Sequence, residues 1–382
     1  MDYLPVLFGY HASNLGNSHV ALSLCRYWNE SGRKAPLTVP SSDDGLVYPW
    51  LKPAMTGLKK ALVYKAGSSD QARIIAENTF FKTEKLSSHV YLWAGLSLDI
   101  FERFHNKGAK IIVERINCHR STSRRIVEKA GERFAINLAN SITEEQIAEE
   151  NRKLAIADAI FCPSQMVKAS LLENNIPGDK LLLTSYGWAP ERFPSAGNPR
   201  PKNLKPVFLF TGSLCMRKGI PLLLEAWKKA DIEGDLLLCG GIDKEIQTLL
   251  AKELTGKNIR HISYTKNIGE IYALADVFVF PSLEEGGPMV TYEAMAHGIP
   301  PLVTAMGGGA IVQDKINGIV LPEMDIDAWA SAITDLAEHP EKRVQLGEHA
   351  RKRSQEFTWQ RVAEQRARLL EQRYTNLWKR NK

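Results

Sequence analysis

Short apolar runs alternate along the chain with stretches in which apolar residues recur at helical spacing. In the first half these runs lie at residues 3–8, 89–94, 109–114 and 159–163, and a helix is predicted from about Asn17 to Ser31, ended by Gly32. Apolar runs of this length are typical of strands buried on both faces of a parallel sheet, and the helices between them supply the crossovers. The pattern predicts a doubly wound α/β domain.

The second half of the chain repeats this pattern. Its apolar runs lie at residues 206–211, 235–239, 260–263, 277–280, 301–304 and 318–321. Between the two halves, residues 190–201 are rich in Pro and Gly, which break regular structure, so we place the linker there and the hinge near residues 187–201. Because the pattern occurs twice, two doubly wound domains are predicted. Residues 359–377 are predicted to form a helical tail.

Composition fits a protein of this size and class. The chain has 382 residues, of which 44% are hydrophobic and 24% charged, as in soluble globular enzymes. Its five cysteines are scattered without a C-x-x-C pair, which argues against a zinc site or a disulfide framework and favours the cytoplasm. The N-terminus lacks a basic leader, and no apolar run approaches the roughly 20 residues of a membrane span.

The net charge is modest. A formal charge of +6 permits a weak peripheral contact with anionic lipid, although most of this charge is expected on solvated surface. Basic residues are interleaved with acidic ones and form no stripe, so nucleic-acid binding is not expected.

Residues 281–300, PSLEEGGPMVTYEAMAHGIP, carry the clearest chemical information. They follow a short buried strand, Gly286 and Gly287 let the backbone approach a ligand, and Pro288 suits the first position of a helix. The free N–H groups and the dipole at a helix start favour negative charge. A phosphate is therefore predicted to bind there.

Two carboxylates flank this predicted helix start. Glu285 precedes the helix and Glu293 lies about 7–8 Å along its axis, so the pair is able to hold hydroxyl groups on either side of a diphosphate. The alternative is a pair of ordinary surface glutamates. Glu284 is expected to be a solvated neighbour.

A second segment, residues 210–227, places a glycine turn and a basic pair between a strand and a long helix. Arg217 and Lys218 suit a diphosphate, because a guanidinium chelates phosphate oxygens and an ammonium supplies a compact charge. The alternative is a solvated turn. The position after a strand, at the sheet edge where open α/β sheets bind ligands, favours a functional role.

These segments resemble the retaining family-4 glycosyltransferases (glycosyl transferases group 1), whose pattern is Glu-x7-Glu followed by Ala-Met-Ala-x-Gly-x-Pro. The resemblance implies the GT-B fold, with two Rossmann-like doubly wound domains facing a central cleft. It assigns residues 1–188, completed by a C-terminal helix at 359–382, to acceptor binding and residues 189–358 to the nucleotide-sugar donor. It also implies that Glu285 contacts the donor sugar, that Glu293 contacts the ribose, and that Lys218 contacts phosphate.

The same resemblance supplies the other donor contacts. Its residues are Gly16, Gly212, Ser213, Thr265, Lys266, Gly286, Gly287, Pro288, Met289 and Val290. The chain departs from the family pattern in two places. Ser213 stands where the family has Arg, which leaves Arg217 to take over that part, and Pro288 has no N–H, so phosphate contacts shift to Gly287, Met289 or Val290.

Catalytic roles are predicted for Glu285, Lys218, Arg217 and His119. His119 follows a first-domain strand and is expected to face the cleft, where an imidazole is able to hydrogen-bond donor or acceptor; the alternative is a structural histidine. No metal or other cofactor is expected, and we interpret Asp325-Ile-Asp327 as helix capping by Asp325 or Asp327.

The sequence thus predicts a cytoplasmic, retaining, metal-independent transferase that moves a sugar from a UDP-sugar to an acceptor hydroxyl. Glucose is the default donor sugar, and the default acceptor is a bacterial surface polysaccharide or its lipid-linked precursor. The alternatives are a nucleotide-sugar epimerase, a retaining phosphorylase and a non-catalytic sugar-nucleotide binding protein.

Overall fold

The computed structural model describes residues 3–93, 95–138, 141–193, 205–254, 258–263, 265 and 267–378. These residues form two α/β domains, each built around one parallel sheet. No helix in these ranges combines the length and the apolar character that a bilayer crossing requires.

The first domain contains a seven-stranded sheet with strands β1 (Val6–Leu7), β2 (Leu37–Val39), β3 (Leu51–Pro53), β4 (His89–Trp93), β5 (Lys110–Glu114), β6 (Ala159–Cys162) and β7 (Leu181–Leu183). Its helices are α1 (Gly16–Glu30), α2 (Gly57–Lys65), α3 (Ser69–Glu84), α4 (Leu98–His105), α5 (Arg120–Arg133), α6 (Glu144–Ile156) and α7 (Gln165–Glu173). The strand order is β3-β2-β1-β4-β5-β6-β7, and every pairing is parallel.

The second domain contains a six-stranded sheet with strands β8 (Val207–Thr211), β9 (Asp235–Cys239), β10 (Ile259–Ile262), β11 (Val277–Phe280), β12 (Pro301–Val303) and β13 (Ile319–Val320). Its helices are α8 (Ile220–Ala230), α9 (Gln247–Glu253), α10 (Ile268–Ala273), α11 (Met289–Ala296), α12 (Ala305–Gly308), α13 (Ile326–Glu338) and α14 (Pro340–Ser354). The order β10-β9-β8-β11-β12-β13 is again wholly parallel. The predicted fold class, two doubly wound domains, is confirmed.

The chain order reverses between β8 and β11, which are neighbours in the second sheet. In open α/β sheets ligands bind beyond the carboxyl ends of the strands at such a reversal. Both strands are fully buried apolar runs, so the loops that follow them are held rigidly at one sheet edge. These two loops contain the predicted basic pair, Arg217 and Lys218, and the predicted acid Glu285.

The last helix, α15 (Trp359–Arg373), packs against the first domain. Arg366 lies fully buried and makes an ion pair with Glu114 of β5, with Nη1 2.7 Å from Oε2. Where the chain crosses back, Trp188 and Thr358 form a bridge, and the N–H groups of Trp188 and Trp359 donate to Phe357 and Trp188 respectively. The crossing is therefore fixed by backbone pairing and a buried charge pair. Much of the predicted linker, residues 194–201, lies outside the described residues.

Candidate active site

The turn after β8 places the basic pair of the candidate site. Gly212 lies in this turn beside the Lys218 side chain, and Ser213 is exposed. Gly219, with φ +70°, is the N-cap of α8, and a Cβ there would lie 2.1 Å from the Pro281 carbonyl oxygen. Only glycine fits this contact. The close contact of Gly219 with Pro281 brings Arg217 and Lys218 against the loop that follows β11.

Lys218, Arg217 and Glu285 meet at this edge of the sheet. The Lys218 ammonium donates a hydrogen bond to Glu285 Oε1, and Arg217 Nη1 lies 3.2 Å from the same oxygen. Burial raises the pKa of the Glu285 carboxyl, but the charges and hydrogen bonds of Lys218 and Arg217 outweigh this effect and leave the pKa below its ordinary value. Glu285 is therefore ionised and holds both cations in place.

Lys218 has a second partner in the aromatic ring of Phe280, at the end of β11. Its Nζ lies 4.9 Å from the ring centroid, a distance suited to a cation–π contact. Arg217 also donates to the main-chain oxygen of Glu284 at 2.6 Å. Both cations are thus oriented by the strand ends before any ligand is bound, which is the preorganisation that phosphate recognition needs.

The structure corrects the expectation that Glu284 is a solvated neighbour. Its exposed fraction is 1%. Its carboxylate accepts hydrogen bonds from the Cys118 N–H at 2.9 Å and from Asn117 Nδ2 at 2.8 Å, both in the first domain. These partners stand more than 160 positions earlier in the chain, so no local sequence pattern indicates the contact.

The helix after Glu285 starts one residue later than predicted. Pro288 is the N-cap and Met289 the first residue of α11, so Met289 and Val290 supply free N–H groups at the helix start. Gly286 and Gly287 allow a close approach, but to the first domain: a Cβ on Gly286 would lie 1.5 Å from the Ile116 carbonyl oxygen. The two domains are therefore in tight contact beside the helix start.

Glu293 lies in α11 and is buried. Its Oε2 accepts a hydrogen bond from the Tyr272 hydroxyl at 3.0 Å, and its Oε1 lies 3.4 Å from Arg192 Nη1, on the segment that joins the domains. Burial raises the pKa of Glu293 above its ordinary value, although Arg192 and Tyr272 act in the opposite direction. Tyr272 also stacks on His297. Glu293 is thus held in one orientation on the same helix whose start adjoins Glu285.

His119 occupies a structural position as the N-cap of α5. Its Nδ1 accepts from the Ser121 N–H, its Nε2 lies 2.8 Å from Asn151 Oδ1, and burial lowers the pKa of the imidazole. It is 1% exposed and does not line the interdomain cavity described below. The structure therefore favours the structural alternative for this residue.

The other predicted contacts lie at the edges of the site. Gly16, with φ +52°, begins α1, and its neighbour Asn17 lines the interdomain cavity. Thr265 follows β10, and its hydroxyl accepts a hydrogen bond from the Asn267 N–H. Lys266 lies outside the described residues.

A cavity of about 500 Å³ opens between the domains. Ligand sites commonly have volumes of this order. Tyr10, Asn117 and Arg120 line it from the first domain, and Arg217 and Glu284 from the second. Lys218, Glu285 and Glu293 are not part of its lining. The cavity therefore adjoins the Arg217 end of the predicted donor site, on the side of the first domain.

The structure also bears on metal binding. Among the described residues, Cys215, Asp243 and Glu245 have their ligand atoms within 4.8 Å of one another, a grouping that the sequence does not predict. Glu245 already accepts a hydrogen bond from the Met216 N–H at 2.9 Å. Asp325 caps α13 by accepting from the Ala328 N–H, so the predicted capping role is confirmed, and Asp327 pairs with Lys229.

The chain is similar in sequence to known glycosyltransferases. Residues 195–353 match the family of glycosyl transferases group 1. An uncharacterized glycosyltransferase of Methanocaldococcus jannaschii is 28% identical over 211 residues, which are 54% of this chain and 57% of that protein. A D-inositol 3-phosphate glycosyltransferase of Saccharomonospora viridis is 34% identical over 100 residues, 26% of this chain and 23% of that protein. The chain thus spans less than two thirds of each of these relatives.

Solved structures match almost the whole chain. Sucrose-phosphate synthase of Thermosynechococcus elongatus aligns with a TM-score of 0.72 at 20% identity, covering 98% of this chain and 100% of that one. HepE of Anabaena in complex with UDP and glucose aligns with a TM-score of 0.66 at 14% identity, covering 97% and 100%. This likeness establishes the two-domain GT-B fold.

Proposed function

Since the second domain of this chain belongs to the glycosyl transferases group 1 family, we propose that the protein is a retaining, family-4 glycosyltransferase that moves a sugar from a UDP-sugar to an acceptor hydroxyl. One observation carries the proposal. Lys218 and Arg217 converge on Glu285 where the chain order of the second sheet reverses, beside the start of α11. Cations and free N–H groups at one sheet edge suit a diphosphate.

Lys218, Arg217 and the start of α11 support a same-face displacement. The bond from the anomeric carbon to the diphosphate oxygen breaks while the bond to the acceptor oxygen forms on the same face, and the acceptor proton passes to the departing phosphate. Lys218, Arg217 and the start of α11 stabilise the charge that develops on the diphosphate. No metal is needed in this scheme, because these groups supply the positive potential.

The interdomain cavity supports a saccharide acceptor. Its lining mixes cationic and anionic side chains, among them Arg120, Glu128 and Asp243, and Tyr10 adds a half-exposed ring. Such a mixture offers donors and acceptors for sugar hydroxyls and an aromatic face for stacking. Glucose as the donor sugar, and a bacterial surface polysaccharide or its lipid-linked precursor as the acceptor, remain our proposal. The choice of UDP as the nucleotide of the donor is supported by the structural likeness to HepE, which was solved in complex with UDP and glucose.

A cytoplasmic location with peripheral membrane contact is also proposed, and α2 supports the membrane contact. This helix has no buried residue, and Leu58 and Leu62 are 84% and 68% exposed, next to exposed Lys59 and Lys65. Apolar side chains among lysines suit an anionic lipid surface. Sedimentation with phosphatidylglycerol vesicles is expected to exceed that with phosphatidylcholine vesicles and to fall in the Leu58→Ser/Leu62→Ser variant. Equal sedimentation with both vesicle types would remove the proposal.

The function itself is tested by a thermal-shift screen against UDP-, GDP- and ADP-sugars, followed by acceptor-dependent release of UDP and assignment of the product anomer by NMR. We expect stabilisation by a UDP-sugar and a product that retains the donor configuration. Release of an altered sugar without any acceptor would favour the epimerase. A requirement for inorganic phosphate would favour the phosphorylase, and binding of a nucleotide sugar without turnover would favour the non-catalytic binding protein.

A further inference from the structure

Glu284 is a buried acid that the proposed donor contacts do not use. We propose that Glu284 is a positioning residue, which fastens the first domain to the second and, through that contact, holds Arg217 at the donor site. This inference rests on the glycosyltransferase function proposed above. It concerns a residue that has no chemical role in that scheme, although it lines the interdomain cavity.

The Glu284 carboxylate makes a contact across the domain boundary. Glu284 Oε1 accepts from the main-chain N–H of Cys118, and Oε2 accepts from the side-chain amide of Asn117. Both donors lie in the loop that follows β5, in the first domain. A carboxylate that is 1% exposed needs such donors, because an ionised group without partners is strongly disfavoured away from water. The carboxylate therefore favours the arrangement in which the two domains are in contact.

Glu284 also contacts Arg217 of its own domain. Arg217 Nη1 lies 3.4 Å from Glu284 Oε2 and donates to the Glu284 main-chain oxygen at 2.6 Å. In return, the main-chain oxygen of Arg217 accepts from the Leu283 N–H at 2.9 Å. One residue thus contacts both the first domain and the guanidinium that faces the cavity. Separation of the domains would remove the two hydrogen bonds, from Asn117 and Cys118, that orient the Glu284 carboxylate beside Arg217.

The two domains pack closely around this contact. Gly286 lies against the Ile116 carbonyl, with no room for a Cβ. Ala130 of the first domain shares a buried apolar cluster with Met216 and Leu283 of the second. The polar contact of Glu284 is therefore accompanied by close backbone and apolar contacts between the domains, and it borders the interdomain cavity.

Asn117 and Glu284 allow a reciprocal test. In the Asn117→Asp variant two carboxylates face each other, and we expect the domains to separate and kcat to fall at least tenfold. Glu284→Gln keeps an acceptor for Cys118 but removes the charge beside Arg217, and kcat is expected to fall about fivefold. In the Asn117→Asp/Glu284→Gln double variant the amide and the carboxylate have exchanged places, so the hydrogen bond forms again in the opposite direction. Its kcat is expected to recover to within threefold of the wild type. Glu348→Gln, an exposed acid, is the control.

Two readouts separate a positioning role from a merely structural one. Binding of UDP, measured by calorimetry, is expected to stay within about twofold in every variant, so that the loss appears in kcat. The distance between spin labels on cysteines introduced at exposed Lys85 and Lys228 is expected to lengthen in Asn117→Asp and to return in the double variant. The five native cysteines are buried, which makes selective labelling feasible.

The inference is overturned if Asn117→Asp keeps both the kcat and the spin-label distance of the wild type. It is equally overturned if the double variant recovers neither, because the two side chains then do not act as a pair. Should the wild-type protein transfer no sugar at all, the proposed function fails, and the spin-label distances alone still decide whether Glu284 fastens the domains.

Discussion

Lys218 and Glu285 form an ion pair whose side chains are 14% and 11% exposed, at the point where the chain order of the second sheet reverses. Neither residue is near the other in sequence, yet the turns after β8 and β11 bring them together. A donor diphosphate offers Lys218 a second anionic partner. The pair therefore keeps the ammonium in place in the free protein and available to phosphate when a ligand arrives.

Lys218→Ala is expected to reduce sugar transfer by about 100-fold, because one cation that stabilises the leaving diphosphate is lost. The fold is expected to remain intact, since Arg217 still balances the charge of Glu285. Initial rates with a UDP-sugar and the thermal midpoint check both statements. Lys228→Ala, an exposed lysine on α8, is the matched control. Wild-type turnover in Lys218→Ala would remove this residue from the site.

Glu293→Ala is expected to weaken UDP binding about tenfold, in line with the loss of a hydrogen bond that a ribose hydroxyl donates to a charged carboxylate. Tyr272→Phe removes only the hydrogen bond that orients this carboxylate, so a smaller effect is expected. Calorimetric titration with UDP compares the two variants. If both bind UDP as tightly as the wild type, Glu293 does not contact the nucleotide.

Arg366→Met is expected to destabilise the protein by about 3–5 kcal/mol, because it leaves Glu114 buried without its cation. The Glu114→Gln/Arg366→Met variant removes both charges and is expected to regain most of the loss. Urea unfolding measures the free energies. A single variant as stable as the wild type would show that the ion pair does not hold α15 to the first domain.

His19 makes stability depend on pH. Burial, with a smaller effect of the Arg192 charge, lowers the pKa of His19 from 6.5 to about 3. As pH falls from about 6.5 to about 3, His19 becomes protonated in the unfolded chain but stays neutral in the folded protein. The free energy of unfolding therefore decreases over this pH range.

The test compares the wild type with His19→Gln. The free energy of unfolding of the wild type is expected to fall by about 2 kcal/mol more than that of the variant between pH 6 and pH 4. Urea unfolding at the two pH values measures the difference. Parallel losses in both proteins would show that His19 is protonated normally in the folded state.

Strong apolar runs made much of the fold predictable. The strands Asp235–Cys239 and Val277–Phe280 coincide with their predicted bounds, because each contains an uninterrupted run of apolar residues that ends at a turn. Leu37–Val39 and Leu51–Pro53 were not predicted. Each has only three residues and lies beside or contains a proline, so their pairing with neighbouring strands is what makes them strands.

The candidate site was predictable where its chemistry is local. The spacing of Glu285 and Glu293 and the basic pair at Arg217 and Lys218 are visible in two short segments. The burial of Glu284 depends on Asn117 and Cys118 in the other domain, and the capping role of His119 depends on the bounds of α5. Contacts of this kind require the tertiary structure.

A crystal structure of this chain with bound UDP would show where the donor diphosphate binds. We expect the β-phosphate within hydrogen-bond distance of Lys218 Nζ and of the free N–H groups at Met289 and Val290, with the ribose at Glu293. A nucleotide bound anywhere else on the protein would contradict this expectation.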